Sequence, residues 1–221
     1  MGIWTSRAAV VVAAVLLAGC SNGFPAGGQG GSTRVASSTG GATVSGRVNQ
    51  LRSDQQALSN AIAAQSGQLE ALRNSIANET RTYNAAVGHI AARLQAGTTP
   101  ANPELVSRWN EAQGSLDKVT ADLGQLNSLA VQVTTQATVA GNVLDTVRAT
   151  YAVGGAVDED HRQLRAIEGN TNRAMQDIDR LIGDLNGEIQ RQNNFLMAER
   201  ANLAGLSYAI NAGRLVAMPR R

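Results

Sequence analysis

From Leu105 to Tyr151 the chain places apolar side chains at alternating steps of four and three. The series is Leu105, Trp109, Ala112, Leu116, Val119, Leu123, Leu126, Ala130, Val133, Ala137, Ala140, Leu144, Val147 and Tyr151, an unbroken heptad seam of more than six repeats. A strand alternates with period two and cannot carry such a seam. A long α-helix packed in a left-handed coiled coil can. Aromatic residues make up only 3% of the chain. The expected core is therefore thin and built from Ala, Leu, Val and Ile rather than from a thick globular interior.

Two further seams flank the first. One runs Val44, Val48, Leu51, Gln55, Leu58, Ile62, Gln65, Leu69, Leu72, Ile76, Glu79, Tyr83, Ala86 and Ile90, interrupted by Gln55, Gln65 and Glu79. Leu94 falls one position off this register, so the helix is expected to loosen before Gly97. The other reads Val157, His161, Leu164, Glu168, Thr171, Met175, Ile178, Ile182, Leu185, Ile189, Gln192, Leu196, Glu199, Leu203, Leu206 and Ile210. Gly97 suits the position just past a helix end, Asn102 an N-cap and Pro103 a first helical residue. Gly154-Gly155 marks the second break. Asp158-Glu159-Asp160 opens the third helix, where carboxylates complement the helix dipole.

The predicted fold is all-α: an antiparallel up-down-up three-helix coiled-coil bundle over 44–216. Its helices span about 45–96, 103–152 and 157–215, with a frayed tail at 217–221. Short connections make sequential helices antiparallel neighbours. At 1.5 Å per residue the rod is about 80 Å long. Val106, Leu129, Val131, Val139 and Val143 widen the apolar stripe of the second helix, as a helix facing two partners requires. Gly67, Gly88, Gly114, Gly124, Gly169, Gly183, Gly187 and Gly205 lie inside the helices. They imply either a loose rod, the favoured reading, or close approach by another chain, at a cost of about 1 kcal/mol each relative to Ala where exposed.

The N-terminus has a different character. Arg7 precedes an apolar run, Ala8 to Ala18, that is too short to span a bilayer as a helix. The run ends Leu17-Ala18-Gly19-Cys20, with the only cysteine in the chain. These four residues resemble the signal box of bacterial lipoproteins. That resemblance implies a signal peptide over 1–19, removal of that peptide, and a covalent lipid on Cys20 as the anchor. Ser21, rather than Asp, follows the cysteine. In enteric bacteria this would imply sorting to the outer membrane, facing the periplasm. Residues 20–43, rich in Gly and Ser, read as a flexible tether with a reach of roughly 25–30 Å.

No catalytic, cofactor-binding or metal-binding residues are predicted. His89 and His161 lie on different helices. No zinc-protease motif, P-loop or dinucleotide fingerprint occurs. The formal charge of +2 is mixed along the helices, so no basic face suggests nucleic acid. Glu168, Thr171, Gln192 and Glu199 read as register-setting polar residues or a solvated bundle end. The chain is expected not to be an enzyme and to bind no small-molecule substrate.

The leading expectation is a structural or scaffolding lipoprotein of the cell envelope. Its membrane contact is the N-terminal lipid, and its protein partner, or a second copy, is met through helical faces. The arrangement is similar to that of the major outer-membrane lipoprotein that staples membrane to peptidoglycan. The chain ends Arg220-Arg221 instead of in that family's attaching lysine, so covalent attachment is not expected. The alternative is an adaptor that docks helix-to-helix on a secretion, efflux, division or murein-synthesis complex. A pore former is disfavoured, since the mature chain holds no run of about twenty apolar residues.

Overall fold

The computed structural model describes residues 36–215, with side chains from Thr43 onward. The described residues form three helices, α1 (Ala36–Ala96), α2 (Pro103–Tyr151) and α3 (Asp158–Ala212), and no strand. The signal peptide, Cys20, most of the expected linker and the C-terminal tail lie outside the described residues.

The topology follows from the cross-links between helices. Ser75 bonds Asp122, and Lys118 pairs with Glu79, so numbers fall along α2 as they rise along α1. Ser45 bonds Asp160, Arg73 meets Glu188, and Tyr83 bonds Glu199, so α3 runs parallel to α1. This is the expected up-down-up bundle. α2 packs more extensively on both neighbours than they pack on each other.

The turn chemistry agrees with the sequence reading. Gly97 has φ +80°, Asn102 caps α2 by accepting from the Glu104 amide at 2.9 Å, and Pro103 begins the helix. Gly155 takes φ +96° in the second turn.

Four expectations need correction. α1 begins at Ala36 rather than near Ser45, because extending a helix already nucleated by the packing of Val44, Val48 and Leu51 costs far less than starting one. α3 stops at Ala212, short of Leu215. Gly213 (φ +70°) closes it with a left-handed cap, its amide bonding Ile210 O and the Arg214 amide bonding Ala209 O. Leu94 is buried and in the core, so α1 does not loosen before Gly97; two successive steps of four simply rotate the buried face. In the first half of α3 and just beyond, to Glu188, the buried series is Asp160, Leu164, Ile167, Thr171, Ala174, Ile178, Leu181, Leu185 and Glu188. Half of the expected seam is therefore displaced by one residue, leaving Met175, Ile182 and Ile189 at the flank of the core and Val157 exposed.

The core forms two clusters. The larger runs from Leu58 and Ala140 to Ile210, and the smaller joins Val44, Val48, Leu51, Val143, Val147, Leu164 and Ile167. Buried Gln55 and Thr171 lie between them in sequence on α1 and α3. Each spends its polarity locally, Gln55 on Ser59 Oγ (2.8 Å) and Thr171 on Ile167 O (2.8 Å).

One end of the bundle is tied shut. The α1–α2 turn lies against the C-terminus of α3, where the Thr98 amide donates to Gly213 O and the Ala101 amide to Ile210 O, both at 2.9 Å. A Cβ on Gly213 would stand 2.4 Å from Thr98 O. Gly67, Gly88, Gly114, Gly124, Gly169 and Gly183 are different, since a methyl there would meet nothing within 4 Å. These helix-interior glycines serve no close approach inside the bundle. Gly213→Ala is accordingly expected to destabilise the protein by about 2–4 kcal/mol, while Gly67→Ala stabilises it by about 0.5–1 kcal/mol. Urea unfolding of the two variants checks both signs.

Candidate functional site

α1 and α3 are pinned at intervals by polar groups that the apolar seam does not explain. At one end, Asp160 accepts from Ser45 Oγ at 3.1 Å and from the Val157 amide at 3.2 Å. One member of the acidic trio thus becomes a buried anchor, beyond its service to the dipole. Nearby, the Arg52 guanidinium donates to the Gln163 side-chain carbonyl.

The second pin is Glu188, 6% exposed. Gln192 donates to it at 2.7 Å, Arg191 donates to its other oxygen, and Arg73 Nε approaches from α1 at 3.4 Å. Burial pushes the Glu188 carboxyl up, but Gln192, Arg191 and Arg73 together outweigh burial and hold it below the ordinary glutamate value. The third pin is Tyr83, whose hydroxyl donates to Glu199 at 2.7 Å while its ring meets Phe195 edge-on at 5.9 Å. Burial first, then Glu199's hydrogen bond and charge, raise the Tyr83 phenol well above its ordinary value.

The polar seam residues of α3 thus set the register between α1 and α3. Glu199 and Gln192 work through these pins, and Thr171 turns inward on its own helix. Glu168 lies near Tyr151, whose phenol is raised by burial and by the Glu168 charge. His161 stacks on the Tyr151 ring at 5.8 Å and 8°, and His89 Nε2 lies 2.8 Å from Glu104 Oε1. The two histidines are not brought together. Among the described residues no group of three or more His, Cys, Asp or Glu could hold a metal ion, and no helix is long and apolar enough to cross a membrane.

Between the Arg52 and Arg73 pins the rod changes character. No Asp, Glu, Lys, Arg or His occurs in residues 55–69 of α1 or 123–144 of α2. The antiparallel register set by Ser75–Asp122 and Lys118–Glu79 places 55–69 beside 128–142. At this waist, two of the three helices present neutral amides, hydroxyls and methyls, with Val131 69% exposed. Expected to widen an internal stripe, Val131 faces outward, as do Val106 and Val139, and only Leu129 and Val143 are buried. The charge at this level comes from α3: Arg173, Asp177, Asp179, Arg180 and Asp184. Between α1 and α3 lies an open groove of about 540 Å³. It is floored by Ile62, Ala174 and Leu181 and flanked by Ser59, Ala63 and Ser66 on one side and Arg173 and Arg180 on the other. Sequence reasoning tracked where apolar residues recur and overlooked where charges are missing. The charge-free runs were the available signal.

No family model, curated protein or solved structure matches this chain.

The Glu188 pin fixes a pH dependence. Its folded pKa is lowered, so its contribution is complete above the ordinary glutamate value and is lost as pH falls through the folded value. Glu188→Gln should cost about 1–3 kcal/mol at neutral pH and flatten the acid limb of the melting-temperature profile below pH ~4.5. Tyr83 acts at the other extreme. A phenol raised on folding loses its contribution as pH climbs past the ordinary tyrosine value, and Tyr83→Phe should remove that alkaline limb.

Proposed function

We propose that the protein is a lipid-anchored structural or scaffolding protein of the bacterial cell envelope. It presents a helical rod to other envelope components. The reading is carried by one juxtaposition: the Leu17-Ala18-Gly19-Cys20 box after a short apolar run, and a long three-helix bundle farther along the same chain. Acyl chains on Cys20 would hold the N-terminus at about 0.8 kcal/mol per buried CH₂, and more than one chain makes such an anchor stable. The outer membrane, facing the periplasm, is the proposed address, from Ser21 after the cysteine.

The bundle supports a presenting role because its length is much greater than its thickness. α1 alone, at 61 residues, extends about 90 Å at 1.5 Å per residue. Its side-chain chemistry serves register rather than reaction, since the buried Glu188, Asp122 and Asp160 and the half-buried Glu199 are all engaged in cross-links or caps.

A second reading, an adaptor that docks on another helix, is favoured by one observation: the charge-poor waist with Val131 exposed. Chemical crosslinking in intact envelopes separates the two. One stoichiometric partner protein bound at the waist identifies an adaptor, and its absence a scaffold. For the anchor, labelled palmitate should enter the wild-type protein and sediment with outer-membrane fractions. Cys20→Ala should lose the label and leave the membrane pellet. A wild-type chain without acyl groups in its native host would remove the basis of the proposal.

A further inference from the structure

The groove between α1 and α3 carries a charge pattern with a symmetry of its own. Along its α3 wall stand Arg173, Asp177, Arg180 and Asp184. Their spacing is symmetric about a point between residues 178 and 179, and their signs invert across that point. Turned end for end about a two-fold axis there, a second α3 would set Asp184 against Arg173 and Arg180 against Asp177, and the reverse on the other side. Within the described chain only the inner two are paired, at 3.2 Å. Arg173 bonds the neutral Asn170 at 3.3 Å and enters no ion pair. Asp184 is near enough to Arg73 to help raise its pKa, against burial, yet makes no salt bridge with it.

The opposite wall is compatible with the same guest. Residues 55–69 of α1 carry no charge, so an incoming α3 meets no like-charged neighbour there. Ser59, Ala63 and Ser66 keep that wall low. The groove also lies where α1 and α3 are not tied, between the Arg52–Gln163 and Arg73–Glu188 links.

We infer that this groove is the interface of an antiparallel homodimer, in which α3 of each copy lies along the α1/α3 groove of the other and four intermolecular ion pairs set the register. Only a second copy reproduces the inverted pattern by symmetry, because a two-fold contact joins the same patch to itself. The contact is short, about 20 Å along the helix, so the dimer falls among small, weak interfaces with micromolar dissociation constants. It weakens with salt, as exposed ion pairs do. It depends on the bundle's surface alone, whether or not Cys20 carries lipid, so its failure leaves the anchor untouched.

Sedimentation equilibrium of the full chain in detergent, from about 1 to about 500 µM, reads the association directly. The wild type should dimerise within that range. Arg173→Asp and Asp184→Arg each place like charges together twice in the dimer, and each should weaken it on the order of tenfold or more. The double variant Arg173→Asp/Asp184→Arg restores opposite signs and should recover the wild-type constant. Both positions are exposed, and unchanged circular dichroism would show that the bundle is intact. A second check uses Arg173→Cys/Asp184→Cys in a Cys20→Ser background. The two positions of one chain are about 16 Å apart on the helix, beyond disulfide reach, so oxidation should give a covalent dimer and neither single cysteine should. A wild type that stays monomeric throughout, a double variant as weak as the singles, or a groove that instead takes up a different protein would each overturn the homodimer.

Discussion

The structure depends on α2 being apolar along its whole length on two sides. Leu105, Ala112, Leu116, Val119, Leu126, Val133, Ala140 and Val147 are each essentially inaccessible to solvent. They form the strip against which α1 and α3 both pack. With so few aromatic side chains, no single residue dominates the interior. Cohesion comes from many small contributions of about 1.5–3 kcal/mol per buried aliphatic side chain, distributed along the rod. Such a core is strong across the axis and says little about sliding along it, since one heptad resembles the next. Register has to come from elsewhere, and the pins at Asp160, Glu188 and Glu199 supply it. Each pin is half a polar residue of α3 and half a partner on α1, the pair of helices that pack least extensively on each other.

The helices and their turns were legible in the sequence because their causes are local. Gly97, Asn102 and Pro103 act through their own backbone preferences, and the seam of α2 is a pattern within one segment. What was not legible depended on two segments at once. The buried face of α3 sits one residue away from its strongest apolar series because Asp160, Ala174 and Glu188 meet α1, and a seam read from α3 alone favours the larger Met175, Ile182 and Ile189. Leu94 escapes heptad counting for a related reason: a second step of four breaks strict heptad spacing without leaving the core. The closure of α3 by Gly213 involves Thr98, more than a hundred residues earlier.

The waist is a surface defined by an omission. Residues 55–69 and 123–144 have nothing in common as motifs, and each passes for an ordinary amphipathic helix. Only antiparallel pairing lays them side by side and turns two uneventful segments into a neutral belt at the level where α3 carries charges. The glycines tell a similar story. With no internal neighbour demanding them at Gly67, Gly88, Gly114, Gly124, Gly169 and Gly183, they lower helix stability without a packing return inside the chain.

The division of the core into two clusters gives the rod unlike poles. At one, a turn is hydrogen-bonded across the end of α3 and the larger cluster backs it. At the other, a small group around Val44, Val147 and Leu164 stands beyond the inward-turned polar groups of Gln55 and Thr171. Fluctuations starting at the small pole can stop at that polar boundary while the rest keeps its packing. Tension applied along the chain would therefore meet a compliant section nearer the N-terminus and a stiff one beyond it, a graded spring rather than a uniform strut.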